Sequence, residues 1–351
     1  MTDYFPPARA EGAWRTATEE VQVADLCGMD QQRLDLMGSF QTFLNDGTGY
    51  GIVVVRHGWI AGEYYAKNAR PGTRIHVHSV TKAVTSLAFG HLLASGAADL
   101  DLDTAAYDLL PDGIALSDPR KAGVTIRHLL SMTSGIRGES CGIFGTYAAT
   151  PAGGELEYAL GLVPGRGGAS TAELAADPGT RWDYSCAGYL HLGMIFQEIT
   201  GRSVSSYLGS EVFAPIGLTD WDWESAGGFG RLGPVSTTHI GLHISARELA
   251  RLGYCILQDG RWGQDQVLPP DYLREATTPQ ELNPDYGLGF WLNRGPDNPS
   301  LPGDLVAMKG YNSNRLYVVP SEDLVIARVG LGPTNWDENL VIGGVLGAIL
   351  H

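Results

Sequence analysis

Two pairs of β-branched runs, one near each end of the chain, most constrain how it can fold. Gly51-Ile-Val-Val-Val-Arg turns at His57-Gly58 into Trp59-Ile-Ala-Gly-Glu-Tyr-Tyr. Arg315-Leu-Tyr-Val-Val passes a Pro-Ser-Glu-Asp turn into Leu324-Val-Ile-Ala-Arg-Val. Each reads as a hairpin, because Val, Ile and Tyr favour the pleated backbone while Gly, Pro and Asp supply the turns. Between them the spacing changes to that of helices. Ser79 to Ser95 ends at Gly96, Thr125 to Met132 closes on Thr-Ser-Gly, and Tyr189 to Thr200 ends at Gly201. Ser245 opens another helix, with Glu248 at the capping-box position. Asn339 to Leu350 suits a packed C-terminal helix, and the Gly-rich stretches 151–168 and 227–233 read as surface loops.

Strands at both ends with helices between predict an α/β protein of the α+β type. One antiparallel sheet is built from both termini and flanked by helices, with a mainly helical region inserted. The expected boundaries are 1–85 and 240–351 for the sheet domain and 86–239 for the helical one, with the site at their interface.

Composition narrows the function. At 351 residues the chain is long enough for a large core. A net charge of −15 without any basic run argues against nucleic acid, whose phosphates need clustered Lys and Arg. No apolar run reaches the length that spans a bilayer. The first twenty residues have neither a basic start nor an apolar core, so a cytoplasmic protein is expected. Cys27, Cys141, Cys186 and Cys255 are scattered, which suits free thiols rather than a zinc knuckle or a redox pair. The nine histidines make no metal-ligand spacing, and His76 and His78 read as residues of a strand leading into a helix. Neither metal nor cofactor is expected.

Two motifs mislead. Gly138-Glu-Ser-Cys-Gly142 has the pattern of a nucleophile elbow around Ser140, but lacks the buried strand before it and the helix after it. Gly228-Phe-Gly-Arg-Leu-Gly233 has the dinucleotide pattern without a strand leading in, and Pro234 follows directly. Both read as loops.

Ile75-His-Val-His-Ser-Val-Thr-Lys carries the chemistry. Ser79 begins a helix, where its own N–H has no intrahelical partner and can hold a developing oxyanion. Lys82, one turn on, shares its face and can reach the hydroxyl. Burial among Val80, Ala83 and Leu87 would lower the basicity of the amine until it can accept a proton. The bland alternative is a capping serine beside a lysine that snorkels to solvent. Two further elements bear on the choice. Arg181-Trp-Asp-Tyr184-Ser-Cys186 sets a tyrosine just before a helix, where a phenol near an ammonium can be held partly as phenolate and relay a proton. Met308-Lys-Gly-Tyr311-Asn-Ser-Asn precedes the last strand pair, and the Tyr311 N–H could be a second oxyanion donor.

In this order the three elements resemble the serine β-lactamase and penicillin-binding-protein superfamily. The closest likeness is to its class C, family VIII esterase and 6-aminohexanoate-oligomer hydrolase branch. Leu129-Leu-Ser-Met-Thr-Ser-Gly135, Phe213-Ala-Pro-Ile-Gly-Leu218, Ser245-Ala-Arg-Glu-Leu-Ala-Arg and Tyr286-Gly-Leu-Gly-Phe-Trp add to the resemblance. It implies acylation of Ser79, with Lys82 and Tyr184 as the acid–base pair. It makes Cys186, Lys309 and Asn312 candidate substrate contacts.

Two departures bear on substrate. Cys186 stands where relatives acting on β-lactams carry an asparagine, and Lys309-Gly-Tyr replaces Lys-Thr-Gly. Lys309 either lines the cleft or faces away, since a one-residue offset flips a strand side chain. The expected activity is hydrolysis of an ester or unstrained amide on a small-molecule substrate. Acyl transfer, D-amino-acid peptide cleavage, and a binding protein that keeps only the fold are the alternatives. Oligomeric state is not legible.

Overall fold

The computed structural model describes residues 4–8, 11–44, 49–96, 99–111, 114–138, 154–165, 168–296, 298–332 and 337–350. Helices α1 (Glu20–Cys27) and α2 (Gln31–Leu44) lead into strands β1 (Tyr50–Arg56) and β2 (Trp59–Ala66), and the two-residue β3 (Ile75–His76) precedes α3 (Val80–Ser95). The middle holds α4 (Ile126–Leu130), α5 (Glu155–Leu160), α6 (Cys186–Thr200) and α7 (Val204–Leu208). Short strands follow: β4 (Trp221–Trp223), β5 (Ser225–Phe229), β6 (Leu232–Ser236) and β7 (Leu242–Ile244). After α8 (Ala246–Leu257) come β8 (Arg261–Trp262), β9 (Asp265–Gln266) and α9 (Pro270–Ala276). The chain closes with β10 (Trp291–Leu292), β11 (Val306–Gly310), β12 (Asn314–Val319), β13 (Leu324–Gly330) and α10 (Glu338–Leu346).

The two terminal hairpins join as expected. Strand order in the main sheet is β10-β11-β12-β13-β1-β2, antiparallel throughout, with Val53 opposite Ala327 at the seam between the ends of the chain. Strand period explains why β1 is apolar along its whole length. Val53 and Val55 enter the core that holds α3 and α8, whereas Ile52 and Val54 enter the core under α2 and α10. Each of these fully buried side chains contributes about 1.5–3 kcal/mol of transfer free energy.

The first of those cores continues through α3, α4 and α6. Helix α3 is buried on all sides, Thr81, Thr85 and Ser86 included. Its polar residues are tied off: Thr81 Oγ1 accepts from the Leu242 N–H (3.2 Å), and Thr85 and Ser86 donate to Thr238 O (3.0 Å) and Leu288 O (2.6 Å). A left-handed Gly96 ends it.

Two loop expectations fail. Residues 227–233 lie in the β5–β6 hairpin, so the Gly-rich run passes through paired strands and offers no helix N-terminus to a dinucleotide. Within 151–168, residues 155–160 form α5, which packs on α6 and buries Leu156, Tyr158, Ala159 and Leu160. Glycine content hid both, because tertiary pairing and burial override local propensity. Cys27, Cys186 and Cys255 are free thiols. Residues 139–142, which carry Ser140, Cys141 and most of the elbow pattern, lie outside the described residues. Among the described residues, no helix is long and apolar enough to cross a membrane.

Candidate active site

Ser79 sits at the N-terminus of α3 in helical conformation, and its side chain makes no capping hydrogen bond. Lys82 is 1% exposed, so it does not snorkel. Its Nζ lies 3.0 Å from Ser79 Oγ, 2.9 Å from His239 O and 3.3 Å from Cys186 Sγ. Neither half of the bland reading survives. None of these partners is a carboxylate, and burying an ammonium without one costs energy that a buried amine avoids.

Tyr184 completes the group. Lys82 Nζ stands 4.8 Å from the centre of its ring, and Lys82 and Ser79 both favour the charged form of the phenol. Burial raises its pKa and outweighs the opposing pull of Lys82 and Ser79. Partial phenolate character, expected from the nearby ammonium, is therefore not what this environment favours: the phenol holds its proton.

The turn that presents Tyr184 is built by the Met132–Gly138 region. Asp183 donates its backbone N–H to Met132 O and accepts from the Gly138 N–H, while Ser185 Oγ donates to Arg137 O and caps α6 through the Gly188 N–H. Aromatic rings close over the other side. Tyr184 stacks on Trp291 (centroids 6.2 Å apart, planes at 24°), and Trp182 and Tyr286 pack against Trp291 at 6.1 and 5.0 Å. Neither Trp291 nor Trp182 was among the residues expected at the site. Trp182, two residues before Tyr184, was the available signal; Trp291 had none from its distance along the chain.

Strand β11 ends against the start of α3. A Cβ at Gly310 would collide with the Val77 carbonyl and come within 3.2 Å of the Val80 nitrogen, so only glycine permits this approach. Tyr311 follows, with its ring edge-on at 5.6 Å to His78, the residue before Ser79. Alternation then settles Lys309. Met308 enters the core on the α3 side, and Lys309 points to the opposite face, where its Nζ pairs with Glu338 at 2.7 Å and lies 5.3 Å over Trp291. As a substrate contact in the cleft, Lys309 is corrected: it is committed to α10. Asn312 is in the left-handed region, and its carbonyl accepts from Arg328. Cys186 is at the site, but its thiol meets Lys82.

Four histidines cluster beside this cleft. His76 lies 4.2 Å from His78 and 4.8 Å from His243, ring to ring. His76, Glu224 and His243 bring ligand atoms within 4.8 Å of one another. However, His76 Nε2 accepts the Gly241 N–H at 2.9 Å, so its other nitrogen carries the proton and the ring has no lone pair for a cation. Burial, and then His76, lowers His78 to about 4. Burial and the charge of Lys82 hold the His239 ring well below the usual imidazole range. In the helical core, burial lowers His191 to about 4 as well.

Depressed histidines predict an acid transition. His78 and His191 stay neutral in the fold down to about pH 4. Free imidazoles charge near pH 6.5. In that window the unfolded chain binds more protons, so stability falls as pH drops from about 6.5 toward 4. Melting temperature by circular dichroism is expected to decline through this window, less steeply in His191→Gln. Equal slopes for the two proteins would remove His191 from the account.

Comparison with known proteins agrees with this geometry. The family model described as Beta-lactamase matches residues 40–335. An uncharacterised protein of Alkalihalophilus pseudofirmus is 23% identical over 324 residues, 81% of this chain and 84% of that one. Among solved structures, EstCE1, a hydrolase with promiscuous acyltransferase activity, superposes with a TM-score of 0.66 at 17% identity, covering 91% of this chain and 98% of that one. A D-stereospecific amidohydrolase from Streptomyces gives 0.61 at 18% identity, over 93% and 98%.

Proposed function

The chain belongs to the Beta-lactamase family, and within it we propose a serine hydrolase that cleaves an ester or unstrained amide through an acyl-Ser79 intermediate. One observation carries the reading: a buried amine 3.0 Å from a hydroxyl at a helix N-terminus, with a tyrosine ring centred 4.8 Å from that amine. Lys82, as the free amine, takes the Ser79 proton while Oγ attacks the carbonyl carbon. The N–H groups of Ser79 and Tyr311 hold the oxyanion. The C–O or C–N bond then breaks, and Tyr184 gives its proton to the leaving group, to be reprotonated by Lys82. Water attacks the acyl-enzyme by the same steps in reverse. The likeness to a hydrolase with promiscuous acyltransferase activity and to a D-stereospecific amidohydrolase supports acyl-group chemistry at this site.

Lys309 and Cys186 bear on selectivity. With Lys309 turned to Glu338, this residue brings no ammonium to the cleft for a substrate carboxylate. A thiol at position 186 is a weak partner for the acylamino group of a β-lactam. Short-chain p-nitrophenyl esters are expected to turn over, with benzylpenicillin slow or inert. Cys186→Asn is expected to raise the β-lactam to ester ratio by up to roughly tenfold, the worth of one hydrogen bond of about 0.5–1.5 kcal/mol. Side-by-side rates for both substrates decide it, and efficient penicillin hydrolysis by the unaltered protein would sink the assignment.

A further inference from the structure

Four consecutive carbonyls at the end of β11 are each held by a side chain. Arg315 Nη1 donates to Gly310 O (2.5 Å), Asn314 Nδ2 to Tyr311 O (2.6 Å), and Arg328 Nη1 to Asn312 O (2.9 Å) and Ser313 O (2.7 Å). The turn has a cost of its own. Asn312 and Ser313 both lie in the left-handed region at φ 58, which is unfavourable for residues that carry a Cβ. Arg328 is fully buried beneath it and donates to a third carbonyl, that of Gly332. Burial and the like charge of Arg315 disfavour that guanidinium's charge. Two arginines on one small turn are more than a hairpin needs for closure.

Covalent connectivity shows what they act on. The Gly310 carbonyl and the Tyr311 N–H belong to one planar peptide unit. A charge-assisted bond on its oxygen draws electron density through the amide and strengthens the N–H as a donor. The same bond fixes the direction of that N–H, since rotating the peptide would pull the carbonyl off Arg315. The guanidinium is itself held: Arg315 Nε lies 3.3 Å from Glu338, which also binds Lys309 and the Tyr317 hydroxyl (3.2 Å).

We propose that Arg315, backed by Arg328, is a positioning residue that aims and polarises the Tyr311 N–H as oxyanion donor. This rests on the acyl-Ser79 reading. Glu338 on α10 thereby joins the outer layer of the fold to the oxyanion site, although it touches no substrate.

The test uses the full chain with an aryl ester and with phenylboronic acid, whose tetrahedral adduct on a serine places an oxygen where the oxyanion would sit. Arg315 is only 16% exposed, so thermal melts accompany each variant. Arg315→Met is expected to lower kcat by about tenfold, less than the loss from deleting a donor outright, with KM nearly unchanged. Boronate affinity should weaken by a similar factor. Arg315→Gln, which keeps a donor without the charge, should fall between. A raised KM with kcat intact, or a lowered kcat with boronate affinity intact, overturns the proposal. If Arg315→Met does not fold, unchanged kcat and boronate affinity in Arg315→Gln overturns it instead. A fully active Ser79→Ala would sink the acyl-enzyme reading itself. An inactive Ser79→Ala beside a fully active Arg315→Met would sink only this inference.

Discussion

Ser79→Ala is expected to abolish covalent labelling by a fluorophosphonate and to cut ester turnover by about 10,000-fold or more, the loss seen when a serine nucleophile is removed. The fold should survive. Ser79 Oγ makes no capping hydrogen bond, so its removal takes nothing from the helix terminus. Lys82 would keep His239 O and Cys186 Sγ as partners. A melting temperature close to that of the unaltered protein, with labelling lost, is the expected pair of results. If labelling persisted in Ser79→Ala and vanished in Ser140→Ala, the nucleophile would lie in the 138–142 pattern instead.

Lys82→Met and Tyr184→Phe are expected to lower kcat by about 100- to 10,000-fold, the usual range for losing a positioned proton-transfer group. Methionine is chosen because alanine would leave a cavity in a fully packed helix. The two variants should differ by leaving group. p-Nitrophenolate leaves without a proton, so Tyr184→Phe should harm alkyl esters and amides more than p-nitrophenyl esters. Lys82→Met should harm all of them alike, because the attacking hydroxyl must lose its proton in every case.

The pH profile separates the roles further. Lys82 can accept the Ser79 proton only as the free amine, so kcat/KM should rise toward mildly alkaline pH. His78, at about 4, and His239, depressed by burial, are already neutral there and cannot supply that rise. Tyr184 is raised above the ordinary phenol value, so its loss of a proton should not pull activity down before strongly alkaline pH. A flat profile from pH 6 to 9 with an ester whose acylation limits the rate would remove Lys82 as the base.

Some of the site was legible because it is local. Ser79 and Lys82 meet through the i, i+3 geometry of one helix, and Tyr184 stands in a turn whose following helix shows in the residues themselves. The helix expected from Tyr189 begins three residues earlier, at Cys186, because Ser185 caps it. Other parts were invisible for stated reasons. The Met132–Gly138 segment cradles the Tyr184 turn through backbone groups, which carry no residue-specific signal. Trp291 lies 107 positions from the tyrosine that it stacks on, counting from 184 to 291.

The sequence by itself determined the two hairpins, the buried α3 with its serine and lysine, and membership of a hydrolase family whose proton chemistry those residues can perform. Only the tertiary structure decided which way β11 turns its side chains. Strand period is two, so the side facing Ser79 depends on where Gly310 meets Val77, a contact between segments more than 230 residues apart. That register sends Lys309 to Glu338 and leaves the Gly310 carbonyl to Arg315. Tertiary packing likewise brings the thiol of Cys186 on α6 to Lys82 on α3, and the pairing of β13 with β12 sets the guanidinium of Arg328 beneath the turn. Such meetings follow from packing the whole chain, and no local spacing encodes them.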